Sequence, residues 1–132
     1  MSLTIPSPLL RKVLLIDAAT CTLSGALMSI GAATLARWTA IPHDILLYAG
    51  LSLLPIALVM AAIGLRSFVH PAMVWLVIGG NLLWVLGCIW LLVGDLIAPN
   101  TIGQAFITLQ ALTVAILTRL EHDGLRQSRS AN

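Results

Sequence analysis

Asp17, Asn81, Trp84 and Gln110 are the side chains of this sequence best placed to do chemistry in an apolar setting, because each stands inside a long hydrophobic run. Ionisable and strongly polar residues inside a membrane span are costly to insert, so they mark functional candidates. Asp17 is the only carboxylate within a run, about four residues or roughly 6 Å from its start. It could be a protonatable group of a transporter. The preferred reading is structural: a shallow carboxylate that reaches headgroups, or a Ser, Thr or Arg on a neighbouring helix, with Arg66 and Arg119 closing the second and fourth runs at the same face. Asn81 and Gln110 fall at similar depth in consecutive runs. That predicts an interhelical amide pair, worth roughly 0.6 to 2 kcal/mol, with a ligand-lining role as the alternative. Trp84, one helical turn beyond Asn81, is either a packing residue or the wall of a cavity.

Other chemistry is poorly served. His43, His70 and His122 all lie between runs or after the last one, where none can ligate a buried haem. No Ser/His/Asp set, HExxH, phosphate-binding loop or GxGxxG is present. Cys21 and Cys88 fall within apolar runs without a CxxC or a Cys/His cluster. They read as buried small hydrophobes, neither a zinc site nor a disulfide. The expectation is a protein without enzymatic activity, cofactor or metal.

The elements that must position these residues follow from composition. The chain has 132 residues, 59% of them hydrophobic and only 9% charged, with a mean hydropathy of +1.01. Soluble domains carry about a quarter charged residues. Twelve charges cannot solvate a globule of this size, which argues against a soluble enzyme, a disordered chain or a nucleic-acid-binding domain. Four apolar runs, at about 13–36, 45–65, 72–94 and 102–120, are each long enough to cross a bilayer core of about 30 Å. The fold class expected is therefore all-α, an antiparallel four-helix transmembrane bundle in one domain over 1–132. No ten-residue segment alternates with period two, so a membrane β-barrel is not expected. The short connections make consecutive helices antiparallel. Pro71 suits a helix start, and Asp44 and Thr101 read as N-caps. The first run is too long for a signal-peptide core and is expected to be retained.

Orientation comes from the basic residues. Arg11, Lys12, Arg66, Arg119, Arg126 and Arg129 fall on one side of the predicted topology, with only Arg37 on the other. That bias predicts a multi-pass protein of a bacterial-type inner membrane with both termini cytoplasmic. Residues 121–132, polar and containing Gly and Ser, read as a flexible cytoplasmic tail.

Within the runs, Cys21, Gly25, Ser29 and Ala33 form a small-residue ridge at four-residue spacing, with Gly79, Gly80 and Gly87 in a similar role on the third. Such ridges permit close backbone approach, either inside the bundle or across a homodimer seam. Pro55 removes a backbone donor in mid-span, where Ser52 could help satisfy the freed carbonyls. Trp38, Tyr48 and Trp75 stand near span ends as interfacial anchors.

Leu15-Ile-Asp17-Ala-Ala, then Gly25, then Ile41-Pro42, and Gly80-Asn81-Leu-Leu-Trp84 in the third run, resemble a pattern of small uncharacterised bacterial four-helix inner-membrane proteins. The resemblance spans nearly the whole chain and implies a fold but no activity. Small multidrug resistance transporters and DoxX-like proteins share the size only. The former place a Glu deeper in an Ala-Glu context, and the arginine and glycine positions of the latter have no match here. The functional expectation is a non-enzymatic membrane protein, as an accessory or packing subunit of a membrane complex. Its partners would be the lipid bilayer and either a second copy or a larger assembly, not nucleic acid. The alternatives are a small proton-coupled transporter using Asp17, or a lipid- or quinone-binding module with a lateral groove beside Trp84.

Overall fold

The computed structural model describes residues 3–131. Among these, five helices form and no strand: α1 (Pro8–Ile30), α2 (Ala32–Thr39), α3 (His43–Gly64), α4 (Pro71–Val93) and α5 (Thr101–Ala131). α1, α3, α4 and α5 are long and apolar enough to cross a membrane. The architecture is the expected all-helical bundle of a multi-pass membrane protein.

Element boundaries reflect local signals that hydropathy alone does not weigh. α1 begins at Pro8, not at 13, because the Ser7 hydroxyl accepts from the Leu10 N–H at 3.1 Å and Pro8 occupies the first helical position. The first span does not continue unbroken to 36. It stops before Gly31, whose N–H bonds the Leu27 carbonyl, and the chain restarts as α2. Two expected caps are corrected. Pro42 holds the N-cap position of α3, with Asp44 in the first turn, where a carboxylate complements the helix dipole. Asn100, not Thr101, caps α5: its Oδ1 accepts from the Gly103 N–H at 2.9 Å. Pro71 opens α4 as expected. α3 runs through Pro55 without interruption, and the Ser52 hydroxyl donates to the Ala49 carbonyl, not to the one that Pro55 leaves free.

The largest correction concerns the segment after Leu120. Residues 121–131 are not a frayed tail but the last three turns of α5, with Glu121, Gly124, Leu125 and Ser128 buried at helical spacing. Asn132 lies outside the described residues. Arg126, Gln127 and Arg129 occupy the opposite face and are exposed. The segment is polar on one face only, so its average composition conceals an amphipathic helix.

α1 is the hub of the bundle, flanked by α3 on one side and α5 on the other, with α4 packed on α5. Along the α1–α3 seam, a Cβ on Gly25 would lie 2.8 Å from the Gly50 carbonyl oxygen, and one on Gly50 would lie 2.8 Å from the Ser29 backbone nitrogen. Contact this close needs glycine on both helices. It assigns the Cys21–Gly25–Ser29 ridge to packing inside the bundle, although Ala33 is exposed. In a membrane, van der Waals packing of this kind replaces the hydrophobic driving force available to soluble helices. The glycines of α4 do the opposite of what their composition predicts: Gly79, Gly80 and Gly87 each face open space. α3 and α4, although joined by a short loop, scarcely touch. A short loop makes two helices antiparallel without making them neighbours.

The end of the bundle where α1 begins and α5 ends, here the proximal end, is closed. Leu10, Leu14, Ile63, Val69, Val74, Ile78 and Leu125 form a buried apolar plug. An N-terminal strap crosses it, held by paired Thr4–Val69 backbone bonds at 2.8 Å and by the Ser7 N–H donating to Ser128 Oγ at 2.7 Å. The Ser7 hydroxyl also donates to the Gly124 carbonyl at 2.9 Å. At the distal end, Asn100 ties α5 to α2 through bonds to the Thr39 and Trp38 carbonyls.

Candidate functional site

Three helices bring three polar side chains to one point. Asp17 on α1, Asn81 on α4 and Glu121 on α5 each lie about ten residues, roughly 15 Å of helical rise, from the proximal end of their helix. All are buried: Asp17 is 1% exposed, Asn81 7% and Glu121 0%. The Asn81 amide nitrogen donates to Asp17 Oδ2 at 2.9 Å and to Glu121 Oε1 at 2.7 Å. One amide thus bridges two carboxylates, using both of its N–H donors. The Cys21 thiol, one turn beyond Asp17, donates to Asp17 Oδ1 at 3.6 Å. Glu121 Oε2 is buried with no hydrogen-bond partner among the described residues, and the two carboxyl groups meet at the same amide nitrogen.

Among the described residues the ion pairs are His43–Asp44, Arg119–Asp123 and His122–Asp123, and none of them includes Asp17 or Glu121. The expected partners of Asp17 are therefore corrected. Arg119 pairs with Asp123, Arg66 is exposed, and among the described residues neither forms an ion pair with Asp17. Asp17 is enclosed by the bundle and does not reach its surface.

The expected Asn81–Gln110 pair is also absent, since Asn81 spends its donors on the two acids. Gln110 instead accepts from the Trp84 indole N–H at 3.2 Å and directs its own amide to the Met28 sulfur at 3.3 Å. Of the four sequence candidates, Asp17 and Asn81 meet in one cluster and Trp84 and Gln110 in a second, toward the distal end. Glu121 is the residue that sequence reasoning missed. The signal was present: Gln110, Val114, Leu117, Glu121, Leu125 and Ser128 repeat at three- and four-residue intervals, carrying the inward stripe of α5 past Leu120.

Cavities surround the cluster, and Trp84 lines three of them. One of about 330 Å³ opens between α3 and α4, where Gly80 leaves room, and reaches Asn81 and Cys21. A second, of about 440 Å³, continues past Trp84 toward the distal end of the same groove, beside Gly87 and Gln110. The third, of about 250 Å³, lies chiefly between α1 and α5 and reaches Asp17. Its wall carries Thr20, Ser24 and Thr113 as well as Phe106 and Leu109. Cys21 and Cys88 are both buried and free, and no group of three or more His, Cys, Asp or Glu side chains among the described residues is placed to hold a metal ion.

Comparison of the chain with protein-family models, with curated proteins and with solved structures finds no match to any of them.

Proposed function

We propose that this chain is a small proton-coupled membrane transporter without enzymatic activity, in which Asp17, Asn81 and Glu121 form the proton-exchange site. The carrying observation is the shared Asn81 amide between two buried carboxylates that enter no ion pair among the described residues. A packing subunit has no use for such a group. Apolar side chains of similar volume would be as stable or more so, whereas unpaired buried charge is destabilising. Like charges this close repel when no cation accompanies them, and one proton held between them relieves the repulsion.

The protein resides in a bacterial-type inner membrane with both termini cytoplasmic. Arg11, Lys12, Arg66, Arg126 and Arg129 lie in the segments at the proximal end, Arg119 stands further along α5, and only Arg37 belongs to the distal end, in keeping with the cytoplasmic excess of basic residues. A reporter enzyme active only outside the cytoplasm should be silent when fused to the C-terminus and active when inserted between α4 and α5. Activity at the C-terminus overturns the orientation.

Infrared spectroscopy of the protein in lipid tests the site. A protonated carboxyl band should be present near neutral pH and disappear in the Asp17→Asn, Glu121→Gln double variant. Two carboxylates still fully ionised at about pH 5 would rule the transporter out.

The grooves between α3 and α4 favour a second reading, a lipid- or quinone-binding module. The lateral opening beside Trp84 that such a module needs is present. Retention of a stoichiometric isoprenoid or acyl lipid through purification, with no proton exchange, would favour it over transport.

A further inference from the structure

We propose that the cavity between α1 and α5 binds a small organic cation with an apolar body, its charge facing Asp17 and its body resting against Trp84 and Phe106. This rests on the reading of the acidic cluster as a proton-exchange site and names the class of substrate that site serves.

The cavity has Asp17 at one end and extends along α1 as far as Met28, toward the distal end of the bundle. The proximal plug of Leu10, Leu14, Val74, Ile78 and Leu125 lies on the other side of the cluster, so Asp17, the one acid of the pair that lines the cavity, meets open volume on the distal side. No Lys, Arg or His lines the cavity, which makes its only formal charge negative and excludes an anion. A neutral apolar molecule would leave the acids uncompensated. A hard metal ion would need six or more oxygen ligands, and the described residues offer no such cluster. An ammonium or quaternary nitrogen on an apolar frame fits what is present. One carboxylate supplies the counter-charge, Trp84 and Phe106 supply aromatic surface, and Leu27 and Leu109 take the frame. The Trp84 ring is held by its bond to Gln110. A volume of about 250 Å³ limits the ligand to a single ring or a short chain beyond the charged group.

Binding and proton loss are coupled by charge. The groups facing Asp17 are Cys21 on its own helix, Asn81 on α4 and Glu121 on α5, with apolar Leu53 on α3. None is cationic. When a monovalent cation arrives, the proton shared by the two carboxyls leaves, and the net charge of the site is unchanged.

Equilibrium dialysis of benzyltrimethylammonium against the full chain in dodecyl maltoside micelles, which carry no amine headgroup, tests the site. The expected result is saturable binding of one cation per chain, with about one proton released per cation near neutral pH. Affinity should fall at least about tenfold in Asp17→Asn and in Thr113→Leu, which narrows the cavity without touching the acids. Neopentylbenzene, the neutral carbon isostere, should not compete. Unsaturable binding, unchanged affinity in Thr113→Leu, or equal competition by neopentylbenzene overturns the proposal. Loss of probe binding when the chain is moved into phosphatidylethanolamine nanodiscs would reassign the site to a lipid headgroup and also overturn it. Failure of the ligand class is separable from failure of the proton site. A carboxyl band that titrates while the probe does not bind rejects the organic cation and leaves the exchange site standing. A pair that stays ionised rejects both.

Discussion

Helix α1 presents two inward faces, and they are built on opposite principles. Toward α3 it offers Gly25 and Ser29, small groups that let two backbones touch. Toward α4 and α5 it offers Asp17, a carboxylate that draws an amide and a second acid around it. The first face is dry and closed. The second is buried but bordered by open volume. A bundle stabilised only by packing would repeat the first face all round. The seam with α3 supplies the rigidity against which a costly polar cluster can be held, and the slack is confined to the α3–α4 gap and the α1–α5 cavity.

The sharpest way to break this contrast is to put a side chain into the closed seam. Gly25→Leu has no room, because its Cβ would lie 2.8 Å from a backbone oxygen and 3.0 Å from the Leu54 side chain. Overpacking normally costs about 1–3 kcal/mol, and here neither backbone can yield, so a loss of more than about 3 kcal/mol is expected. Gly79→Leu, facing open space, should change stability by less than about 0.5 kcal/mol. Thermal unfolding of the two variants in the same detergent measures the difference. Equal losses would mean that the seam is not the rigid element.

Next in size is the end of α5. Leu125 is 1% exposed and belongs to the proximal plug. Leu125→Ala should cost about 2 kcal/mol or slightly more, whereas the neighbouring exposed Arg126→Ala should cost almost nothing. Hydrogen exchange gives an independent reading, since the amides of 121–128 should be protected as part of α5. Rapid exchange there would detach the acidic cluster from its third helix.

These regions differ in how much of them the sequence disclosed, and the reasons are physical. The four spans follow from hydropathy, because no other structure satisfies so apolar a backbone in lipid. The Gly25 seam follows from four-residue spacing. What spacing does not disclose is the partner: Gly79, Gly80 and Gly87 have the same composition as a seam and line a gap instead. Asp17 and Asn81 stand out as polar residues in apolar runs, but their contact links residues 64 positions apart and no local pattern encodes it. Glu121 was hidden for a different reason. Arg119, Arg126 and Arg129 dominate the average polarity of its segment, and only the phase of the stripe from Gln110 to Ser128 reveals an inward face. Where a span meets water, periodicity is a better guide than mean hydropathy.

A smaller effect probes the polar face itself. Asn81→Leu removes the one donor shared by Asp17 and Glu121 and should destabilise by about 1–2 kcal/mol, the cost of leaving buried acceptors unmade. If the acids are the cause, Glu121→Leu in the same chain should recover part of that loss, and the double-mutant cycle should show strong coupling. The corresponding cycle between Asn81 and Gln110, whose side chains bond different partners, should stay below about 0.3 kcal/mol. A large Asn81–Gln110 coupling would restore the amide pair that the sequence alone predicts.

The smallest expected effect lies at Trp84, where the two kinds of interior meet. Its indole N–H donates to Gln110, and the same ring lines the cavities on both sides of the cluster. Trp84→Phe keeps an aromatic wall and deletes the donor. Interhelical hydrogen bonds in membranes average about 0.6 kcal/mol, because the unfolded helices also find partners in the bilayer, so the stability change should be of that order. Ligand binding should respond differently. With its donor gone, Gln110 is free to turn away from α4, and the ring that it steadied can move into either neighbouring cavity. Benzyltrimethylammonium affinity should therefore fall by more than the stability change predicts, while the infrared carboxyl band of Asp17 and Glu121 stays in place. If instead affinity and stability fall in step, Trp84 is only a packing residue, and the cavity beside Asp17 needs no steadied wall.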